Sequence, residues 1–436
     1  MTLNGLVEEL LRGAADRALR YLRELPDRPV AVPPDALPRL AELDVPLPDK
    51  PVPVEDLLAL LDDVVAPATT ATTGPRFFGF PVAGPVPAAI AAGWLTAAWG
   101  CDATPTTAEA PSAPGPVAAT ETALRWLVEL LGLPAGTAGR FTAGHTAANV
   151  VALAAARHAV LARAGWNVAA NGLFGAPPVT VVTGDEVHPA VLKALALLGF
   201  GQNRVTRVRV DGQGRLRPTL IPPLTGPTIV CAQAGNANSG AVDPLTAICA
   251  RAHDDGAWVH VDGGFGLCAA ASPLTRDLVA GAAHADSWTT DPGTWLGPPF
   301  DTGLALVRDA EALEAAVWPS GSASGVQVWA ALAALGRDGV AELVERVCAA
   351  ARRFARELAG AGYPVLNEVV LNQILVGFGS AARTAEVVAR VRAEGVCFCG
   401  GTVWQGRPAM RISLGNGATT DEDIARGVTA IRAAAA

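Results

Sequence analysis

Three short segments of this 436-residue chain contain the residue types that chemistry in a cleft requires. The first, Thr142 to Asn149, reads TAGHTAAN and opens a predicted helix, where small residues leave backbone N–H groups free to hold an anion such as phosphate. In the second, AWVHVDGGFG (257–266), Asp262 ends a predicted buried strand, so its carboxylate can hydrogen-bond a protonated ring nitrogen or cap the following turn. The third, ADSWTTDPGTWL (285–296), is a predicted strand that runs into a Pro-Gly turn.

Amines that can react covalently are rare in this sequence. The chain has 33 lysine and arginine residues, of which only Lys50 and Lys193 are lysines. Lys50 lies in a proline-rich stretch, where we expect a solvated side chain. Lys193 follows His188 within a predicted helix, at a spacing that places the two on different faces. A mechanism that depends on lysine therefore has no well-placed candidate.

The elements that must position these segments alternate between helix and strand. Apolar residues at helical spacing predict helices over 3–25, 118–131, 147–164, 189–198 and 244–253, and a long helix from Val326. Short β-branched runs predict strands at 179–183, 205–210, 228–231, 258–261 and 304–307. This alternation predicts an α/β fold with a mostly parallel sheet, in which ligands bind at the carboxyl ends of the strands.

Proline and glycine divide the chain into three predicted regions. Residues 1–75 form an N-terminal helical arm and a linker, in which Pro26 to Pro53 should have little regular structure. Residues 76–318 form a large α/β domain. A Gly/Ser-rich break at Pro319 to Gly325 then leads into a small C-terminal α+β domain, residues 319–436.

Composition argues against several classes of protein. A net charge of −8, with 50% hydrophobic and 17% charged residues, excludes a disordered chain and a nucleic-acid binder that uses a broad basic field. The longest weakly polar run, Val86 to Gly100, is shorter than the roughly 20 residues that a membrane span needs. Seven scattered cysteines predict no disulfides, and Cys397 with Cys399 is weak support for a metal site, so we expect none. We expect a cytoplasmic protein without nucleic-acid or membrane partners.

Taken in order, and with GDEVH (184–188) between the first two, the three segments resemble the pyridoxal-phosphate-dependent group II decarboxylases of fold type I. This family includes the aromatic amino acid and glutamate decarboxylases. Four further segments resemble it: PRFFGF (75–80), ALRWLVELLGLP (123–134), AGNANSGAVDP (234–244) and RISLGNGATTDEDI (411–424). The resemblance implies a large domain with a seven-stranded type of sheet, a small C-terminal domain, and a homodimer in which the N-terminal arm wraps the partner.

The resemblance also assigns roles to residues. It makes His188 the imidazole that stacks on the cofactor's pyridine ring and Asp262 the carboxylate that keeps the ring nitrogen protonated. The phosphate-binding segment becomes Thr142, Ala143, Gly144 and Thr146. The residues that we place around the substrate cleft are Phe78, Trp295, Trp404 and Asn416.

The sequence departs from the family where the cofactor would be bound. Thr294 stands at the position of the lysine that forms the Schiff base, and Gly293 stands at that of a histidine that contacts the phosphate. His145 replaces a glycine of the phosphate-binding segment, where its imidazole should obstruct the phosphate. Because His145 lies at a helix start, we expect the helix dipole to lower its pKa. The loop between Asp309 and Val326 is shorter than in the family and lacks its tyrosine.

Three hypotheses follow. In the first, the chain is an enzyme that uses His145, His188 and Asp262 for acid–base chemistry on a small amino-acid-like substrate, in a specialised pathway and without lysine-bound pyridoxal phosphate. Thr294 then lies in the same site. In the second, Asp262 and His188 hold the cofactor noncovalently. In the third, the chain is a catalytically inert partner or ligand-binding subunit.

Overall fold

The computed structural model describes residues 3–100, 113–298, 302–316 and 324–436, and the side chains from residue 7 onward. The predicted Gly/Ser-rich break lies outside the described residues up to position 323, and so do residues 317–323 of the shortened loop before Val326. Within the described ranges, no helix is both long enough and apolar enough to cross a membrane.

Helices cover much of the described chain. The six that the sequence predicts are found within a few residues of the predicted bounds. The helices of the described chain are α1 (Leu3–Glu24), α2 (Ala36–Arg39), α3 (Val54–Leu60), α4 (Pro87–Trp99), α5 (Pro114–Leu130), α6 (His145–Arg163), α7 (Val168–Asn171), α8 (Pro189–Leu197), α9 (Leu245–Asp254), α10 (Ala310–Ala316), α11 (Ser324–Gly360), α12 (Ala381–Glu394) and α13 (Asp421–Ala435). Helix α11 is interrupted at Gly336, whose φ of 64° is accessible to glycine at little cost. The linker predicted to lack regular structure contains α2 and a 3₁₀ turn at Leu40–Leu43.

Eleven strands lie in the described ranges and form two sheets. They are β1 (Phe77–Phe78), β2 (Ala138–Thr142), β3 (Thr180–Gly184), β4 (Thr206–Val208), β5 (Thr228–Gln233), β6 (Trp258–Asp262), β7 (Ser287–Thr290), β8 (Gly303–Val307), β9 (Gln373–Val376), β10 (Phe398–Trp404) and β11 (Arg407–Ser413). The seven-stranded sheet has the order β2-β8-β7-β6-β5-β3-β4. Strand β8 runs in the direction opposite to the other six. This confirms the predicted α/β fold with a mostly parallel sheet.

The smaller sheet contains β1, β10, β11 and β9 in that order. Strand β1 pairs with β10 in parallel, although Phe77 and Phe78 fall within the segment that we assigned to the large domain. Short strands carry little periodic signal, so the partner of a two-residue strand is not readable from the sequence. The predicted domain boundaries themselves stay a prediction.

The large sheet is buried on both faces because helices pack against each side of it. Every residue of β5, β6, β7 and β8 is buried, which fits the near-continuous apolar runs expected of central strands. Polar side chains on these strands therefore need partners. His260 and Asp262 on β6 and Ser287 on β7 are the polar groups that lead to the candidate site.

Candidate active site

Four predicted site residues end or follow strands whose carboxyl ends lie on one side of the large sheet, and three of them, His145, His188 and Asp262, lie close together. Strands β2, β3, β6 and β7 run in the same direction, so their carboxyl ends lie on that side. His145 begins α6 shortly after β2, His188 precedes α8 after β3, Asp262 ends β6, and Thr294 lies in a 3₁₀ turn after β7. The fold brings together residues that are far apart in sequence, as expected for a ligand site of an α/β sheet.

The closest polar contact in this cluster joins His145 and Asp262. The His145 Nε2 atom lies 2.6 Å from Asp262 Oδ1, and the Asp262 side chain is 5% exposed. The Thr289 hydroxyl also donates to Asp262 Oδ1, at 3.4 Å. The sequence left open whether turn amides would satisfy this carboxylate. Its partners are instead an imidazole and a hydroxyl.

Both partners have shifted pKa values. Burial acts to raise the pKa of Asp262, but the His145 contact and the nearby His188 and His260 outweigh it and hold this pKa far below its usual range. Burial also opposes protonation of His145, yet the Asp262 carboxylate prevails and raises the pKa of His145. The sequence-based expectation of a lowered His145 pKa is therefore wrong. A carboxylate at hydrogen-bond distance acts more strongly than the helix dipole.

His188 faces the same cluster in a different protonation state. Its ring centroid lies 5.6 Å from that of His145 at an interplanar angle of 71°. Burial, together with the positive charges of His145 and Arg411, lowers the pKa of His188 despite the attraction of Asp262. His188 Nδ1 accepts a hydrogen bond from the Ala190 N–H at 3.2 Å, which caps α8. The neutral ring therefore carries its proton on Nε2 and presents an N–H donor.

One ring nitrogen of His145 has no hydrogen-bond partner among the described residues. Because Asp262 is ionised, His145 Nε2 must carry the proton between them. The other ring nitrogen, Nδ1, is buried and has no hydrogen-bond partner among the described residues. Nδ1 is thus the atom that gains the proton when His145 becomes an imidazolium and loses it again at higher pH.

Arg411 is a group near this cluster that the sequence-based prediction missed. The half-buried guanidinium, on β11, is close enough to His188 to lower its pKa. Two of its nitrogens donate to the backbone oxygens of Gly79 and Ala237, at 3.0 and 3.4 Å, and Nε is buried without a partner. In the described part of the chain it has no carboxylate partner. Arg411 lies within a segment that carried the family resemblance, so that segment held a signal that we did not use.

The predicted phosphate-binding residues extend from the end of β2 to the first turn of α6. The Thr142 hydroxyl donates to the backbone oxygens of Gly144 and Gly303, each at 3.1 Å, so it is already engaged. Gly144 has a φ of 97° and precedes a helix that no side chain caps. Ala143 and Thr146 are exposed. The ring of His145 leans toward Gly264, where an added Cβ would lie 3.2 Å from the His145 Cε1.

The turn after β7 contains Thr294 and Gly293, the two residues that the resemblance sets against the family's lysine and histidine. The Thr294 hydroxyl donates to the Asp291 backbone oxygen at 2.7 Å. The Gly293 N–H donates to Asp291 Oδ1 and Thr302 Oγ1, each at 3.0 Å, and an added Cβ at Gly293 would lie 2.5 Å from Thr302 Oγ1. Both lysines of the chain have exposed side chains elsewhere, Lys50 before α3 and Lys193 on α8.

The four residues that we placed around the cleft do not join the His145 cluster. Phe78 is buried and packs against Phe354. Trp295 is buried and donates its indole N–H to the Phe265 backbone oxygen. Trp404 packs with Leu375 and Ala409 in the small domain.

Asn416 is buried and is held by backbone groups. It donates to the Thr73 backbone oxygen and accepts from the Ala418 N–H. Its contacts are therefore structural.

The donor atoms of His145, His188 and Asp262 lie within 4.8 Å of one another, a composition that suits a metal ion. Two contacts do not favour one. His188 Nδ1 accepts a hydrogen bond, so Nε2 carries the proton and has no lone pair for a metal. A metal-binding histidine shows the reverse pattern, because the nitrogen that does not bind the metal donates its N–H to a neighbouring group. Asp262 Oδ1 already contacts His145.

The residues present also do not fit pyridoxal phosphate. Asp262, which the resemblance pairs with the cofactor's ring nitrogen, is bound by His145 Nε2 instead. The His145 imidazole contacts Asp262 and faces His188 at a centroid distance of 5.6 Å, and these are the two residues that the resemblance places against the cofactor ring. Both lysines of the chain lie elsewhere, and the Thr142 hydroxyl already donates to backbone oxygens. Neither observation supports binding of pyridoxal phosphate.

The His145–Asp262 contact predicts a pH-dependent stability difference between wild type and His145→Gln. A raised His145 pKa contributes stability that is complete below about pH 6.5 and is lost as pH rises through the folded-state value. The lowered Asp262 pKa adds stability above about pH 4. Urea unfolding should therefore show the largest loss in the variant near pH 5 to 6.5 and a smaller loss at pH 9.

The exposed His284→Gln is the control, with an expected change in the free energy of unfolding within about 0.5 kcal/mol at each pH. A His145→Gln deficit that does not vary with pH would show that the contact is not ionic.

Comparison with known proteins agrees with this scaffold. Residues 34–320, more than half of the chain, match the model of the pyridoxal-dependent decarboxylase conserved domain. The aromatic-L-amino-acid decarboxylase of Bacillus atrophaeus is 32% identical over 200 residues, which cover 44% of this chain and 39% of that protein. Tryptophan decarboxylase 1 of Oryza sativa subsp. japonica is 26% identical over 94% of this chain and 90% of its own length.

Solved structures show the same fold at lower identity. Mouse CSAD has a TM-score of 0.88 with 22% identity, over 98% of each chain. Oryza sativa TDC with PLP and tryptamine has a TM-score of 0.86 with 23% identity, over 100% of this chain and 98% of that one. These likenesses confirm the predicted fold class. With the family model matched across most of the large domain, the chain belongs to the pyridoxal-dependent decarboxylase family.

Proposed function

We propose that this chain is an acid–base enzyme on the decarboxylase scaffold that has lost the Schiff-base lysine. In this proposal it acts on a small amino-acid-like substrate in a specialised biosynthetic pathway. The observation that carries the proposal is the His145–Asp262 pair, in which a buried carboxylate holds one ring nitrogen and leaves the other free. The same division of roles operates in hydrolytic triads, where an aspartate orients the histidine that transfers the proton.

The chemistry of the pair is a proton transfer at a defined atom. Neutral His145 accepts a proton from the substrate at Nδ1, and Asp262 stabilises the imidazolium that forms. The same Nδ1–H then returns the proton to the substrate or to a leaving group. The Nε2–H of neutral His188 is a second donor, placed to hydrogen-bond a substrate oxygen on which negative charge develops.

Arg411 supports a substrate with a carboxylate. A half-buried guanidinium without a carboxylate partner is costly, and a substrate carboxylate would provide one. Relatives of this chain are named for decarboxylation of aromatic amino acids and of L-2,4-diaminobutyrate. We propose the same broad substrate class here, an α-amino acid held through its carboxylate.

We expect binding to depend on the substrate carboxylate and on Arg411. In isothermal titration of L-tryptophan and L-2,4-diaminobutyrate, each paired with the amine that lacks the carboxylate, an amino acid should bind at least about tenfold more tightly than its amine, because a charged hydrogen bond contributes roughly 1.5–3 kcal/mol. Arg411→Met should abolish this difference.

Arg407→Met, an exposed change on the same strand, is the matched control and should preserve the difference. Equal binding of acid and amine, or an Arg411→Met variant like wild type, would contradict the proposed substrate class. Binding of neither class would favour the inert-partner hypothesis.

We also propose that the chain is a homodimer. The exposed apolar side chains of the described surface include Val7, Leu11 and Leu19 on α1, and Trp94 and Trp99 on α4. Trp99 is 55% exposed and Leu11 64%. Apolar groups clustered on helices in this way are typical of surfaces that another chain covers.

Sedimentation at micromolar concentration should therefore show a dimer, and deletion of residues 1–53 should weaken it, because that deletion removes the apolar face of α1. The exposed double change Arg12→Ala and Glu8→Ala, which removes a surface ion pair of α1 but none of its apolar side chains, is the control and should leave the dimer intact. A monomer at this concentration, or a dimer that the deletion does not affect, would contradict the proposal.

A further inference from the structure

A buried line of four polar side chains runs from the centre of the large sheet to His145. The Trp258 indole N–H donates to Ser287 Oγ at 2.9 Å, and Ser287 Oγ lies 2.9 Å from His260 Nδ1. His260 Nε2 lies 3.0 Å from Asn149 Oδ1, and Asn149 Nδ2 donates to the His145 backbone oxygen at 3.1 Å. These four side chains are no more than 1% exposed.

The His145 carbonyl determines the direction of the hydrogen bonds in this line. It can only accept, so the amide nitrogen of Asn149 faces it and Asn149 Oδ1 faces His260. His260 Nε2 must then carry the proton, and burial lowers the pKa of His260 to about 4, which keeps the ring neutral. The unprotonated Nδ1 accepts from the Ser287 hydroxyl, whose oxygen accepts in turn from the Trp258 indole N–H.

This line ends at His145 in the first turn of α6, and the His145 side chain contacts Asp262. Asn149 Nδ2 donates to the His145 backbone oxygen and also lies 3.2 Å from His145 Nε2. Because Nε2 carries the proton that meets Asp262, this second approach is a packing contact and not a hydrogen bond. The amide can keep this orientation only while its oxygen is occupied by His260. Burying polar side chains costs desolvation free energy, and apolar side chains could fill the same space. A role in positioning His145 would explain why this network is polar.

We infer that Asn149 and His260 are positioning residues for His145. They hold the imidazole so that Nε2 meets Asp262 and Nδ1 stays free to exchange a proton. This inference rests on the proposed acid–base role of His145, but it concerns how the ring is held rather than what it acts on. Neither residue was a predicted site residue, and the two satisfied ring nitrogens of His260 would also fit an ordinary core histidine.

The test changes His260, because Asn149 touches the His145 ring directly whereas His260 acts only through Asn149. His260→Gln keeps an N–H at the position of Nε2 and should preserve the line, whereas His260→Leu removes it. The readout is the pKa of His145, measured by mass spectrometry from the pH dependence of exchange of its Cε1 proton in the full chain. The other ionisable groups that act on His145, namely Asp262, Asp291 and His188, are unchanged in every variant.

We expect His260→Leu to lower the pKa of His145, because a ring that turns away from Asp262 loses the contact that raises it. His260→Gln should leave this pKa near the wild-type value, and so should the exposed control His284→Leu. A folded His260→Leu protein whose His145 pKa equals that of wild type would overturn the inference.

If His260→Leu does not fold, Ser287→Ala provides the same test with a smaller change. That substitution removes the proton given to His260 Nδ1, so a lowered His145 pKa supports the inference and an unchanged one overturns it. The readout needs no substrate. Failure of the amino-acid binding test would therefore leave this result intact, and failure here would leave that one intact.

Discussion

The 2.6 Å contact between His145 Nε2 and Asp262 Oδ1 is the interaction on which the rest of the site depends. A carboxylate at the end of a buried strand loses its hydration, and the loss is large unless a charged or hydrogen-bonding partner replaces the water. Here the partner is an imidazole, and the pKa values of both groups move toward the charged pair. This contact fixes which ring nitrogen of His145 is held and which is free.

The scaffold positions this pair through ordinary sheet geometry. Asp262 is at the end of β6, in the middle of the large sheet. His145 follows β2, which is the outermost strand and is separated from β6 by β8 and β7. Helix α6 begins at His145 itself, so its first turn brings the imidazole over the end of β6. A side chain of this size can reach Asp262 from that position. The family's fold therefore places these two residues at or just after strand ends on the same side of the sheet.

Much of the fold and part of the site could be predicted from the sequence. The strands β3, β5, β6 and β8 were predicted because β-branched runs mark central strands, and the residues at their carboxyl ends followed from the parallel arrangement. Strand β2, which reads AGRFT, was missed because it has few β-branched residues and pairs antiparallel at an edge. The pairing of β1 with β10 spans most of the chain and leaves no local pattern.

The details of the site depended on distances that no sequence pattern contains. His145, His188, Asp262 and Thr294 were placed at one edge of the sheet, but the direction of the His145 pKa shift was wrong, because it is decided by an ionised oxygen 2.6 Å away. Phe78, Trp295, Trp404 and Asn416 were chosen by residue type and by resemblance; each is buried among partners of its own, and their place around the cleft stays a prediction. Arg411 and Asn149 matter through contacts with elements distant in sequence.

The most direct test of this account is whether the His145 ring excludes the family's cofactor. Equilibrium dialysis with pyridoxamine phosphate is suitable, because this form has no aldehyde that could react with Lys50 or Lys193. The account predicts weak binding to wild type and to the matched control His284→Gly, an exposed position, and much tighter binding to His145→Gly, where the space beside Asp262 is free. Tight binding to wild type, or no gain in His145→Gly, would contradict it.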